Sequence, residues 1–359
     1  MSYVLAFLGF AVLVILHEAG HFAAAKAVGM RVERFSLFFG PLLVKVRRGE
    51  TEYGIGPIPL GGYVKISGMN PREELPPDVM PRAYFRQPVW KRIVVISAGP
   101  AVNLLLAFVL IAGVRLHTGV PVGTAKVADV QRGAPAAAVL RRGDRLLAVD
   151  GVRGDPDTLR RQIGSHRCAG PPRAGCRSAT PARVEVQRGG KTVTFSIRGR
   201  YDADPKARRV LLGFAFLEDF RPTGVGGASR QAVTDMWTVT SLTVGAVVRI
   251  FQPEERKKLS SVVGGYKTTQ ESFATSTSQA FFILGLISLS LAIINLFPFL
   301  PLDGGHIFWA LAEKVRRKPI PFLVMERASV VGFALVMLVF FIGLSNDIGR
   351  LQNGGFKVR

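Results

Sequence analysis

The chain alternates between long apolar segments and polar ones. Predominantly apolar stretches cover residues 2–28, 93–116, 276–302 and 328–345. An α-helix needs about 20 apolar residues to cross the hydrocarbon core of a bilayer. The first three stretches reach this length, and the fourth is slightly shorter but contains no charged residue. The pattern therefore predicts an α-helical polytopic membrane protein with about four transmembrane helices.

The first polar segment, residues 29–92, contains a strand-forming pattern. Phe38–Val46 favours one strand, and Thr51–Ile66 favours a second strand that returns after a glycine turn. The resulting β-hairpin is rich in glycine and proline and is apolar, which predicts that it is associated with the membrane. Its edge around Gly61 and Gly62 is suited to pairing with an extended peptide. An ordinary surface hairpin is the alternative.

The second polar segment, residues 120–200, is rich in arginine and has short strand patterns. Ala134–Val152 combines a short helix, a Gly-Asp turn, a strand and an Asp-Gly turn, an order that resembles the middle of a PDZ domain. Residues 157–164 would form a second helix and residues 183–197 a closing hairpin. We therefore predict an inserted PDZ-like α+β domain, a class that captures peptide ends by strand addition.

The two cysteines of the chain lie in residues 165–182, which are interpreted as an insertion in this domain. If the domain is extracytoplasmic, Cys168 and Cys176 are expected to form a disulfide that closes a short loop. Two free thiols are the alternative. Neither cysteine lies near a pair of histidines in the sequence, so a zinc knuckle is excluded.

Residues 201–271 are interpreted as a connector. Within it, residues 232–251 have apolar positions at helical spacing, but the uncharged part is too short to span a membrane comfortably, which favours an interfacial helix. The expected organisation is a membrane core built from residues 1–119 and 272–359, with the PDZ-like domain and the connector between its two halves.

The charge distribution predicts the orientation of the chain. Of its 359 residues, 47 are lysine or arginine, and the formal net charge is +22. The basic residues are spread through the loops without a nucleic-acid motif, so contact with a lipid bilayer is favoured over nucleic acid. Eleven basic residues lie in residues 29–92 and five in residues 304–327. The positive-inside rule places both loops in the cytoplasm, and both termini and residues 120–200 outside.

The first apolar segment contains the sequence His17-Glu18-Ala19-Gly20-His21. On a helix the two histidines lie one turn apart on the same face, where both can bind one Zn²⁺. Glu18 is then placed to act as a general base for the attacking water. Ionisable residues inside a membrane segment are costly, which indicates a function. A signal-like helix is disfavoured because no small-residue cleavage site follows.

A catalytic zinc with two histidines needs a third protein ligand. The third apolar segment ends in prolines and glycines around Asp303, which predicts that the helix unwinds there. Unwound backbone at membrane depth is tolerated only against protein or a watery cavity. Asp303 is therefore the best candidate for the third ligand, and His306 is the alternative. Asn103, in the second apolar segment, must find a polar partner; a hydrogen bond between helices is one possibility.

These motifs together resemble the bacterial site-2 protease family, the intramembrane zinc metalloproteases of the regulator-of-sigma-E protease type. The resemblance covers nearly the whole chain. It is carried by a PDZ-like insertion and by four motifs: His17-Glu18-x-x-His21, Gly99-Pro100-x-x-Asn103, Asn295-x-x-Pro298 and Leu302-Asp303-Gly304-Gly305.

The resemblance implies that Asp303 is the third ligand and that the active site lies near the cytoplasmic face of a bacterial inner membrane. It implies that Asn103 and Asn295 help to hold the substrate or its oxyanion. It also implies transmembrane substrates such as trimmed anti-sigma factors or leftover signal peptides. The single PDZ-like unit and the cysteine-containing insertion depart from the family pattern. A membrane metal transporter and a membrane-anchored PDZ scaffold without catalysis are the alternatives from other functional classes.

Overall fold

The computed structural model describes residues 1–70, 72–203, 209–249, 252, 256 and 259–352. The described chain forms two compact units. The membrane unit comprises residues 1–117 and 224–359, and the α+β unit comprises residues 118–223. Four described helices are long and apolar enough to cross a membrane, which confirms the predicted polytopic fold. They are α1 (Ser2–Ala27), α2 (Val89–Thr118), α6 (Thr277–Asn295) and most of α8 (Phe322–Gln352).

A four-stranded sheet follows α1 in the membrane unit. Its strands are β1 (Val32–Phe39), β2 (Val44–Arg48), β3 (Thr51–Ile55) and β4 (Ile58–Ile66), in the order β2-β3-β1-β4. The predicted hairpin is present as β2 and β3, but it is part of a larger sheet. The strand predicted over Phe38–Val46 is interrupted because Gly40 has a φ of 102° and Pro41, which follows, cannot donate to a ladder.

The sheet is attached to the ends of α1 and α2 by a small apolar core. Its fully or nearly buried members come from α1, β1, β4, α2 and the segments between them: Ala25, Met30, Val32, Ile66, Tyr84, Val95 and Ile96. Burial of each larger side chain contributes roughly 1.5–3 kcal/mol. An ion-pair network reinforces this core, since both terminal nitrogens of Arg82 donate to Glu50 at 2.7 and 2.8 Å. The shared core therefore holds β4 against the end of α1.

The second half of the membrane unit contains α4 (Val225–Val248), α5 (Val262–Thr275), α6, α7 (Asp303–Arg316) and α8. The helix predicted over 276–302 ends earlier, at Asn295, because Pro298 and Pro301 cannot continue it. The chain runs without helix through residues 296–302 and starts α7 at Asp303. The predicted unwinding is therefore present, and it places Asp303 in the first turn of a new helix.

The α+β unit contains a five-stranded sheet in the order β11-β5-β6-β7-β8. Its strands are β5 (Val120–Val130), β6 (Arg145–Val149), β7 (Ala182–Arg188), β8 (Lys191–Ile197) and β11 (Phe214–Arg221). Helix α3 (Pro156–Gly164) and a two-stranded ribbon of β9 (Arg200–Asp202) and β10 (Arg209–Leu211) complete it.

The α+β unit extends beyond residue 200, where the sequence-based boundary was placed. Strand β11 pairs antiparallel with β5 from Phe214↔Val130 to Arg221↔Val120. The residues assigned to the connector therefore supply an edge strand of the sheet. A disulfide joins Cys168 and Cys176 in the insertion. The insertion is also held by His166, which bonds Asp150 at 2.9 Å and Thr180 at 3.1 Å.

Candidate metal centre

Three side chains that are distant in the sequence converge on one point in the membrane unit. Nε2 of His17 lies 3.3 Å from Nε2 of His21, and Oδ2 of Asp303 lies 3.3 Å from each of these nitrogens. Ligands at the zinc distance of about 2.0–2.1 Å in a tetrahedron are about 3.3–3.4 Å apart. The three atoms therefore have the mutual spacing of three ligands of one tetrahedral ion.

The secondary structure explains why these side chains meet. His17 and His21 are four residues apart in α1, so they project from one face of the helix. Asp303 is the first residue of α7, directly after the unwound segment. A Cβ at Gly305 would lie 2.5 Å from the backbone nitrogen of Leu300. The Gly-Gly pair after Asp303 thus lets α7 begin against the unwound chain, which brings Asp303 to the histidines.

The hydrogen bonds of this cluster fit a bound cation. Nδ1 of His21 lies 2.9 Å from the carbonyl oxygen of Val95 and must donate to it, which leaves the lone pair of Nε2 directed at the cluster in a neutral imidazole. Among the described residues, Oδ2 of Asp303 is buried without a hydrogen-bond partner. Lone pairs that face each other at 3.3 Å repel unless a cation lies between them. The donor set of two imidazoles and a carboxylate is one that zinc prefers.

Glu18 lies in the same cavity as the three candidate ligands. The cavity has a volume of about 510 Å³, and its wall includes Glu18, Asn295, His306 and the residues of β4 from Gly61 to Val64. A Cβ at Gly62 would lie 3.2 Å from Cδ of Glu18 and closer still to its Cγ. Gly62 therefore lacks a side chain where Glu18 packs against the strand. This arrangement places a carboxylate, a candidate metal centre and a strand around one space.

Helix α2 packs directly against α1 and against the ring of His21. A Cβ at Gly99 would lie 2.7 Å from Cε1 and 2.8 Å from Cδ2 of His21, and closer still to its Nε2. A Cβ at Gly20 would lie 2.7 Å from the carbonyl oxygen of Ala98. These three distances are well below ordinary van der Waals contact, so the two helices approach this closely only because both positions are glycine. The motif Gly99-Pro100-x-x-Asn103 gives no sign of this contact, because it does not show which residue of α1 lies opposite Gly99.

An ion pair between the nearly buried Arg92 and the partly exposed Glu313 holds α7 against α2. Nη1 and Nη2 of Arg92 donate to the two carboxylate oxygens of Glu313, both at 2.9 Å. The side chain of Arg92 is 10% exposed. Because α7 begins with Asp303, this pair contributes to the position of the third candidate ligand. Neither residue was identified from the sequence, since each stands among other charged residues in a polar segment.

The other residues predicted for the site lie in different places. The cavity is lined by Gly61, Gly62 and Asn295. His306, the alternative third ligand, also lines it, but among the described residues the donor atom that joins those of His17 and His21 is that of Asp303. Asn103 is fully buried in α2. It lies behind His17, with its amide 3.1 Å from Nδ1 of that residue, and it is not among the residues that line the cavity.

Comparisons with known proteins agree with this chemistry. The sequence pattern described as Peptidase family M50 matches residues 5–339. The zinc metalloprotease Rip1 of Mycobacterium tuberculosis H37Rv is 31% identical over 397 aligned residues, which cover 93% of this chain and 94% of that protein. Rip1 of Mycolicibacterium smegmatis is 31% identical, with 94% of each chain covered. CPE1693 of Clostridium perfringens is 30% identical and covers 97% of this chain and 98% of its own length.

Proposed function

The chain belongs to peptidase family M50 and is a zinc metalloprotease of the site-2 type; from this premise we propose that it hydrolyses peptide bonds within or beside the transmembrane segments of other membrane proteins. The observation that carries the proposal is the convergence of His17, His21 and Asp303 in the cavity that contains Glu18. These four residues come from membrane helix α1 and from α7, which begins just after membrane helix α6.

We propose that His17, His21 and Asp303 hold the zinc and that Glu18 is the general base. When bound, zinc polarises the peptide carbonyl and makes water more acidic. Glu18 accepts a proton from the attacking water as the carbon–oxygen bond forms. It then gives this proton to the amide nitrogen as the peptide bond breaks, so that a carboxylic acid and an amine leave. Asn295, which lines the cavity, is proposed to hold the substrate.

Strand β4 is proposed to hold the substrate in an extended form. A helical substrate hides its peptide bonds in its own hydrogen-bond ladder, so it must unwind before cleavage. Within the described residues, β4 is an edge strand of its sheet, and Gly61 to Val64 line the cavity. Its free edge is suited to adding a substrate strand. Because Gly62 has no side chain, Glu18 packs directly against β4, so a strand added to this edge would lie close to the proposed general base.

This role of β4 is testable on the substrate, which avoids changes to the protein fold. A transmembrane peptide with one N-methylated residue loses one backbone donor. N-methylation within three residues of the scissile bond, at alternate positions, should lower kcat/KM by roughly tenfold or more, because a lost hydrogen bond costs about 1 kcal/mol and the methyl group adds a clash. The same change ten residues away is the control. Equal tolerance at every position would contradict strand addition.

The catalytic proposal is tested with Glu18→Gln in the purified full-length protein. We expect this variant to bind one equivalent of zinc, as the wild type does, and to lose cleavage of a reporter transmembrane peptide by at least about 10³-fold. His21→Ala and Asp303→Ala should lose both zinc and cleavage. Full activity of Glu18→Gln would refute the role of Glu18. Zinc transport into vesicles without any cleavage would favour a transporter.

The orientation of the chain is a further part of the proposal. The basic residues of 29–92 and 304–327 favour a cytoplasmic position for the sheet and for α7, with residues 120–200 outside. Cysteines introduced as Arg48→Cys and Lys191→Cys, in a chain lacking Cys168 and Cys176, should react with a membrane-impermeant maleimide on opposite sides of the membrane. Labelling of both from the same side would contradict this topology.

The natural substrates are proposed to be transmembrane segments left by an earlier cut, such as trimmed anti-sigma factors or remnant signal peptides. The PDZ-like interpretation of the α+β unit allows two roles, capture of a new carboxyl terminus or exclusion of bulky outer domains. Deletion of residues 118–223 distinguishes them. Cleavage of untrimmed substrates would support exclusion, and loss of cleavage of trimmed substrates would support capture.

A further inference from the structure

The amide of Asn103 faces the side of the His17 ring that is turned away from the candidate metal centre. Nδ2 of Asn103 lies 3.1 Å from Nδ1 of His17. The asparagine is 0% exposed, and its Oδ1 is buried without a hydrogen-bond partner among the described residues. Its backbone carbonyl accepts a hydrogen bond from the hydroxyl of Ser288 in α6 at 2.9 Å. Asn103 is therefore held in place against His17 by two helices.

The tautomer of His17 determines which amide atom must face it. A neutral imidazole carries one proton, and a nitrogen that binds a metal must be without it. Nε2 of His17 is the atom that faces His21 and Asp303, so the proton belongs on Nδ1. Nδ1 is then a donor and needs an acceptor, which an NH₂ group is not. A rotation of the Asn103 amide by 180° places Oδ1 in this position.

We infer that Asn103 is a positioning residue for the metal centre, whose Oδ1 accepts the Nδ1–H of His17 and so presents a bare Nε2 to the zinc. This inference rests on the proposed roles of His17, His21 and Asp303. The rotated amide is favoured because the Nδ1–H of His17 needs an acceptor. The amide makes one hydrogen bond to His17 in either orientation. Val95 does the same for His21 through its carbonyl oxygen. Helix α2 thus orients both imidazoles, one by a side chain and one by the backbone.

This role differs from a substrate-holding role for Asn103. A residue that touches substrate or an oxyanion must reach the cavity, but Asn103 is fully buried and is not among the residues that line it. The ring of His17 separates Asn103 from the metal centre, because its Nδ1 faces Asn103 and its Nε2 faces the other two candidate ligands. Asn295, by contrast, lines the cavity. Of the two asparagines, only Asn295 is placed to contact substrate.

The test measures zinc affinity by competition with a chelator, using purified full-length protein. Asn103→Leu keeps the size of the side chain but removes the acceptor. We expect its zinc affinity to fall by 10–100-fold, which is typical when the partner of a metal-binding histidine is lost. Asn103→Asp keeps an acceptor, so its affinity should stay within about threefold of the wild type. Ser288→Ala removes only the hydrogen bond to the backbone of Asn103 and should also retain affinity.

The cleavage assay at saturating zinc completes the test. With a reporter transmembrane peptide, KM should be the same for wild type, Asn103→Leu and Asn103→Asp. A raised KM for Asn103→Leu with unchanged zinc affinity would assign Asn103 to substrate binding and overturn the inference. Equal loss of zinc in Asn103→Leu and Asn103→Asp would also overturn it. If zinc affinity follows the expected order but no variant, including wild type, cleaves the peptide, the proposed function fails and the role of Asn103 remains.

Discussion

Gly99 is the position at which the smallest change should disturb the candidate metal centre. It lies in α2 against the ring of His21 and, as a glycine, contributes no side chain to the site. Alanine at this position adds one methyl carbon. That carbon would lie 2.7 Å from Cε1 and 2.8 Å from Cδ2 of His21 and nearer still to Nε2. The methyl group would therefore overlap with the atom that is proposed to bind the metal.

The size of the effect follows from the contact distances. Ordinary contact with a Cβ begins at 3.4 Å, so the ring of His21 must move by about 1 Å or α1 and α2 must separate. Metal–ligand distances are held to within about 0.2 Å, and a displacement of about 1 Å in an active site can cost about 100-fold in rate. We expect Gly99→Ala to lower both zinc affinity and kcat/KM by about 100-fold.

The same helix supplies a matched control at Gly113. A Cβ at Gly113 would meet no atom within 4 Å, and alanine is the better helix former by about 1 kcal/mol. Gly113→Ala should therefore retain zinc affinity and activity, with equal or higher thermal stability. The assays are chelator competition and cleavage of a reporter peptide in the same detergent. Wild-type zinc affinity in Gly99→Ala would refute the view that α2 packs directly against His21.

Three further outcomes are expected. Arg92→Ala should lower stability by about 1–2 kcal/mol in chemical unfolding, because Glu313, whose side chain is 27% exposed, loses its charged hydrogen-bond partner. It should also weaken zinc binding through α7, and normal zinc affinity in the folded variant would show that the pair with Glu313 does not position Asp303. Hydrogen bonds from Arg82 and then from Lys26 lower the pKa of Glu50 from 4.5 to about 2, so the stability that Glu50 contributes is complete above pH 4.5 and is lost as the pH falls towards 2. The difference in unfolding temperature between wild type and Glu50→Gln should therefore shrink as the pH falls through this range. A constant difference would contradict the assignment. Asp347→Ala should lower stability by about 2–3 kcal/mol in thermal unfolding, because this fully buried carboxylate accepts hydrogen bonds from backbone N–H groups at the N-terminus of α5. An unchanged unfolding temperature would show that these hydrogen bonds do not stabilise the protein.

Several local features were predictable from the sequence, and each depends on neighbouring residues in the chain. The apolar lengths predicted the four long helices, although α8 and α2 extend beyond the predicted ends. The four-residue spacing of His17 and His21 predicted that they share one face of α1. The prolines near Asp303 predicted the break before α7. These features follow from helix geometry and proline sterics, which act over a few residues and therefore leave a pattern in a single sequence.

The pairing of strands in the two sheets was not predictable in the same way. The sheet of the membrane unit contains a parallel pair, β1 with β3, where a hairpin alone was expected. Strand β11 joins the other sheet from a segment interpreted as a connector. In both pairs, β1 with β3 and β11 with β5, the two strands are separated in the sequence by other strands. The strand pattern of a single segment shows that it can form a strand, but it does not show which other strand provides its hydrogen bonds.

By itself, then, the sequence determined the chemistry and the membrane character of this protein: a histidine pair with a glutamate in a membrane helix and an aspartate at a helix break. Only the tertiary structure decided how these groups are held. It placed Asp303 at 3.3 Å from both imidazoles, Gly99 against His21, and Asn103 behind His17 rather than in the cavity. Such contacts depend on the distance between two packed helices, and no periodicity within either helix encodes that distance.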